Sequence, residues 1–163
     1  LLDADEHERL TRALETVQRT VSEVMIPLRE VRAVRVQLDP ATGRVGPRLD
    51  AVERAVRETG FSRFPVIGPD GTYLGYLHLK DVLDEILDEE IGGESMIGAD
   101  KIRPLPRLSP NTPLDEAANG LRRARAHLGA VVDAGGTILG VIALADLAEA
   151  FVGNLRDSTH RIG

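Results

Sequence analysis

The sequence predicts a mixed α/β (α+β) fold made from two copies of one small unit. Each copy is a small β-sheet flanked by helices, and the two are expected to pack with pseudo-two-fold symmetry. Three observations lead there. Residues 60–86 (GFSRFPVIGPDGTYLGYLHLKDVLDEI) are echoed without a gap by residues 125–151 (RAHLGAVVDAGGTILGVIALADLAEAF). The offset is a constant 65, carrying Gly71 onto Gly136, Gly75 onto Gly140 and Asp81 onto Asp146; a fixed period of this kind is the signature of a repeated structural unit. Each copy reads as an apolar run, a Gly-containing turn, a second apolar run and then a helical pattern opened by an Asp, which is a hairpin followed by a helix. Finally, a unit of about 55–65 residues buries too little surface to stand alone, so the copies should share a core.

Taken in order, residues 1–20 read as an N-terminal connector helix. The charged run 3–16 carries Leu10, Ala13, Leu14 and Val17 on one side, an amphipathic pattern expected of a connector from an upstream region. The first copy is placed at 21–88. Pro27 stops any helix and forces Ile26 into extended geometry. Val34-Arg35-Val36 alternates as a first strand, and the Gly- and Pro-rich stretch 37–48 reads as a loop. Leu49, Val52 and Val56 share a helix face that Gly60 should terminate as a C-cap. The acidic, Gly-containing stretch 89–100 reads as a linker, 101–153 as the second copy and 154–163 as a tail. Gly75 and Gly140, just ahead of the final helices, leave room for a close approach to the backbone, or simply bend the strand.

Composition excludes several function classes. The net charge of −6 argues against a nucleic-acid surface, and Arg122-Arg123-Arg125 reads as a solvated helix face. With no cysteine, disulfides, thiolate chemistry and zinc–sulfur sites are out. The most apolar window, Thr137 to Leu155, contains Asp146 and Glu149 and reads as a buried strand and helix rather than a membrane span. There is no nucleophile elbow, phosphate loop or HExxH, so no enzymatic activity is expected. The run Asp84-Glu85 to Asp88-Glu89-Glu90 is read as a solvated charge face rather than a metal cluster.

The repeated unit, with its Gly-apolar-apolar-x-x-x-Asp ending, resembles the cystathionine-β-synthase (CBS) domain as a tandem pair, or Bateman module. Its wording is similar to the CorC/HlyC group, bacterial relatives of the CNNM magnesium transporters: Val24-Met25-Ile26-Pro27 resembles Val-Met-Thr-Pro, Ser62-Arg63-Phe64-Pro65-Val66 resembles Ser-Arg-Tyr-Pro-Val, and Leu77-His78-Leu79-Lys80-Asp81 resembles Val-His-Val-Lys-Asp. The resemblance implies a regulatory module on the cytoplasmic face of the membrane, attached to an upstream membrane domain of a magnesium/cobalt transport-related protein. It implies a homodimer, and an adenine nucleotide (ATP, ADP or AMP, with or without magnesium) in the cleft between the repeats.

The implied binding residues follow from the family's Gly-apolar-apolar-Thr/Ser-x-x-Asp pattern. Asp81 and Asp146 stand at the ribose-binding position, with Asp146 the favoured anchor. His78 and Ala143 stand where the family has a hydroxyl, and Ile26 where the lead-in segment has Thr. Met25 and Ile26 offer backbone groups to an adenine edge, and Arg63 can reach the phosphates. Binding weaker than in Thr-bearing relatives is expected. Each residue also has a purely structural role available: an Asp at a helix start satisfies free N–H groups and the helix dipole, Arg63 can pair with a neighbouring acid, and His78 can be a half-buried strand end. The alternative function is a structural dimerisation module with a vestigial, ligand-free cleft.

Overall fold

The computed structural model describes residues 3–7, 19–150 and 152–153. Most of the expected connector helix and the tail 154–163 therefore lie outside the described residues. Residues 4–7 are helical, and Asp3 begins the turn by accepting from the Glu6 N–H at 2.7 Å.

The chain divides into two compact units, one of residues 1–29 with 106–163 and the other of residues 30–105. Residues 21–29 join the second copy and residues 101–105 stay with the first.

In the 30–105 unit, β2 (Val34–Leu38) runs parallel to β4 (Arg63–Ile67), and helix α2 (Leu49–Thr59) makes the crossover. Gly60 ends α2 in the left-handed region (φ 72°), its N–H donating to Val56 O at 2.7 Å, as its position predicts. Strand β4 turns back into β5 (Tyr73–His78), and α3 (Leu79–Leu87) follows directly. Gly71 takes φ 85° at the turn. The stretch 37–48 is not the loop its composition suggests. It belongs largely to a hairpin in which β3 (Val45–Pro47) pairs antiparallel with β2. The Asp39 carboxylate closes the turn, accepting from the Ala41 N–H and the Thr42 hydroxyl at 2.9 Å each. Because β3 is the edge of a sheet ordered β3-β2-β4-β5, Pro47 withholds no interior ladder bond. The core joins Val34, Leu49, Val52, Ala55, Phe64, Val66, Leu77, Val82 and Ile97.

The other unit repeats this plan. Strands β7 (Leu128–Val132) and β8 (Ile138–Ala143) begin and end 65 residues after β4 and β5. Gly136 (φ 86°) turns them as Gly71 does, and even the bulge recurs, at Val131/Val132 as at Val66/Ile67. Helix α4 (Leu114–Arg123) crosses from β6 (Arg107–Leu108) to the parallel β7, and residues 144–150 are helical after β8. With Ile26–Pro27 as β1, the sheet order is β1-β8-β7-β6. Its outer strand, β1, comes from the lead-in of the first copy, which a four-residue helix, α1 (Val21–Val24), precedes.

Val82 and Leu147 are fully buried, Val82 in the core of the 30–105 unit, whereas Leu83, Leu87 and Val152 remain exposed. The described part of the chain contains no helix long and apolar enough to cross a membrane.

Candidate functional site

Each unit presents one aspartate in the first turn of the helix that follows its hairpin. The helices start two residues before Asp81 and Asp146, at positions 79 and 144, so neither aspartate is the cap. In the 30–105 unit His78 is the cap: its Nδ1 accepts the Lys80 N–H at 3.2 Å, which requires that nitrogen to be unprotonated. Burial chiefly, then the charges of Arg63, Lys80 and Arg103, push the imidazole below its ordinary pKa. Ala143, the equivalent residue, has no acceptor to offer.

Asp81 is committed elsewhere. Arg103 grips it with both arms, Nε donating to Oδ2 at 2.7 Å and Nη2 to Oδ1 at 2.9 Å. The guanidinium holds the Asp81 carboxyl below the usual carboxylate range, and the carboxylate raises Arg103 in turn. Backbone geometry fixes this pairing. Tyr76 N–H donates to Arg103 O at 2.9 Å and Arg103 N–H to Tyr76 O at 2.8 Å. The approach depends on Gly75, where a Cβ would collide with the Arg103 carbonyl and come within 2.6 Å of Ile102 Cγ2.

The same construction holds in the other unit with a different side chain. Ile26 pairs antiparallel with Val141, the counterpart of Tyr76, and Pro27 with Gly140. A Cβ on Gly140 would collide with the Ile26 carbonyl. Both glycines therefore admit a backbone, and that backbone is the chain's own lead-in segment. Met25, Ile26, Ala143 and Asp146 all fall in this unit. Met25 ends α1, its N–H donating to Val21 O at 2.9 Å. Asp146 is half-buried, and among the described residues no cation pairs with its carboxylate. Arg63 belongs to the 30–105 unit, opposite His78 across the β4–β5 ladder; its Nε is buried without a hydrogen-bond partner. Among the described residues no group of three or more His, Cys, Asp or Glu could hold a metal ion.

Arg103 is the residue that sequence reasoning missed. A signal existed. Pro27 and Pro104 follow Ile26 and Arg103, so Val-Met-Ile-Pro at 24–27 has its own counterpart in Lys-Ile-Arg-Pro at 101–104. Its offset is 77 rather than 65, because the loops between the lead-in and the repeated hairpin differ in length.

Comparison with known proteins places these features in a family. A family model described as the CBS domain matches residues 47–88 and 99–153. An uncharacterized protein of Mycobacterium tuberculosis strain H37Rv is 44% identical over 161 residues, covering 99% of this chain and 44% of that protein. The magnesium and cobalt efflux protein CorC of Vibrio cholerae is 28% identical over 158 residues, covering 96% of this chain and 50% of that one. The chain thus spans about half the length of these relatives. Among solved structures, the CBS domain of a bacterial CNNM/CorC family Mg2+ transporter in complex with ATP aligns with a TM-score of 0.68 at 26% identity, covering 90% of this chain and 97% of that one.

Proposed function

The chain belongs to the CBS-domain family, as a tandem pair, and from that premise we propose that it is the regulatory CBS pair of a magnesium/cobalt transport-related membrane protein, sensing an adenine nucleotide through its Asp146-bearing unit. The observation that carries this reading is the course of the lead-in segment. Ile26 and Pro27 form the strand beside β8, so Met25 and Ile26 share one unit with Ala143 and with Asp146, which has no cationic partner among the described residues. An ionised carboxylate at that position can accept from both ribose hydroxyls. The ATP complex of the CNNM/CorC relative supports adenine nucleotides as the ligand class.

In this reading the module does no chemistry of its own. It works as a homodimer on the cytoplasmic face of the membrane, coupled to a membrane domain, and nucleotide occupancy biases the state of that domain. Leu83 and Leu87 in one unit and Val152 in the other are among the exposed apolar side chains that association could cover. One observation favours a second reading, a structural dimerisation module without ligand: Ile26 and Ala143 carry no hydroxyl, and a lost hydrogen bond to a charged group is worth about 1.5–3 kcal/mol.

A thermal-shift series with ATP, ADP and AMP, each with and without magnesium, separates the two. Nucleotide sensing predicts a concentration-dependent rise in Tm with at least one nucleotide, following mass action. A flat response to all three up to several-millimolar concentration supports the ligand-free reading.

A further inference from the structure

We propose that Arg103 is an internal occupant of the Asp81 carboxylate, closing that half of the repeat to a ribose and leaving the chain a single nucleotide site, at Asp146. The inference rests on the reading above in one respect, that the paired aspartates are ribose anchors.

A carboxylate receives a vicinal diol by accepting one hydroxyl on each oxygen, and a guanidinium uses the same two oxygens when it binds as a fork. At Asp81 both oxygens are taken, by Nε at 2.7 Å and by Nη2 at 2.9 Å. Each oxygen keeps a second lone pair, but a ribose that chelates the carboxylate along this same edge must displace a charge-assisted pair with two weaker, neutral donors.

Arg103 is not a stray surface contact. The two partners are 22 positions apart in sequence. The reciprocal Tyr76–Arg103 backbone bonds hold the arginine in register, and Gly75 provides the space. The two side chains are 30% and 22% exposed, so water screens the pair less than it would a fully solvated one.

The two repeats can be compared position by position. Val141 stands 65 residues after Tyr76, and its lead-in partner is Ile26. The same backbone slot therefore carries a guanidinium in one unit and an aliphatic side chain in the other. The two repeats also differ at His78 and Ala143, but a cation engages the aspartate in only one of them among the described residues, and the asymmetry of binding is assigned to that cation.

The test is calorimetric titration of the full chain with ATP, reading sites per chain in wild type, Arg103→Gln, Asp146→Ala and the double variant. Gln keeps most of the side-chain length without the charge, and Arg103→Ala serves as the second replacement should Gln fail to fold. The expected stoichiometries are one, two, none and one. A wild type that binds two, or Arg103 variants that bind no more than wild type, overturn the proposal. Wild type binding none while an Arg103 variant binds one upholds the occupancy of Asp81 by Arg103 and refutes the Asp146 site. One site in both proteins does the reverse, and no binding to any of them refutes both.

Discussion

Replacing Gly75 by Ala tests whether each lead-in segment is held by close backbone approach. The new Cβ would lie 2.6 Å from Ile102 Cγ2 and inside contact distance of the Arg103 carbonyl, so the 102–103 segment must move. Two backbone hydrogen bonds, of 2.9 and 2.8 Å, stretch or break, at about 1 kcal/mol net each. Overpacking contributes about 1–3 kcal/mol, as in other well-packed cores. Removing a glycine from the unfolded chain offsets about 0.4–1 kcal/mol of this. The sum is a destabilisation of about 2–5 kcal/mol, read as a lower urea midpoint. Gly120→Ala is the control. That glycine lies within α4, and a Cβ there finds its nearest neighbour, Leu108 Cδ2, at 3.9 Å; the helix should gain about 0.5–1 kcal/mol. A Gly75→Ala stability within about 0.5 kcal/mol of wild type, the range of ordinary surface changes, would refute the reasoning, because the segment would then not need the space.

Two further outcomes follow from protonation. Arg103 holds the Asp81 carboxyl low, so the pair's contribution is complete above the unfolded carboxylate pKa of about 4 and is lost as pH falls through the folded value; Asp81→Asn should remove about 1–2 kcal/mol at pH 7 and flatten the acid limb of stability measured by urea titration at each pH. His78 is pushed below its ordinary value, mainly by burial; its contribution is full above about pH 6.5 and declines as pH falls through the folded value, and His78→Asn, which retains a capping acceptor, should lessen the stability loss between pH 7 and 5 on the same assay.

The parts of this fold set by local pattern could be read from the sequence. The hairpins, their Gly71 and Gly136 turns, the α2 face and its Gly60 cap all follow from spacing and backbone preference, and the repeat transferred them from one copy to the other. Features that depend on partners distant in sequence could not. Gly43, Gly46 and Pro47 read as breakers, yet Gly43 makes a hairpin turn at φ 71° and Gly46 packs against the Ile97 backbone. The helical spacing of Val82 did not say which neighbours would cover it, and it is buried among residues of the 30–105 core. The candidate site divides in the same way. Asp81 and Asp146 were visible through the repeat. The arginine engaging one of them was not, since its position is set by pairing to Tyr76 and lies off the 65-residue register.

The central claim is a nucleotide site anchored by Asp146, and isothermal titration of adenine nucleotides into wild type, Asp146→Ala and Ala143→Thr addresses it most directly. The claim predicts measurable binding to wild type. Asp146→Ala should abolish binding while retaining the wild-type urea midpoint, and Ala143→Thr, which restores a hydroxyl beside the ribose position, should bind about tenfold tighter, the equivalent of one net hydrogen bond of about 1.4 kcal/mol. Equal affinity in all three proteins, or loss of binding in Asp146→Ala only because the module unfolds, would contradict it.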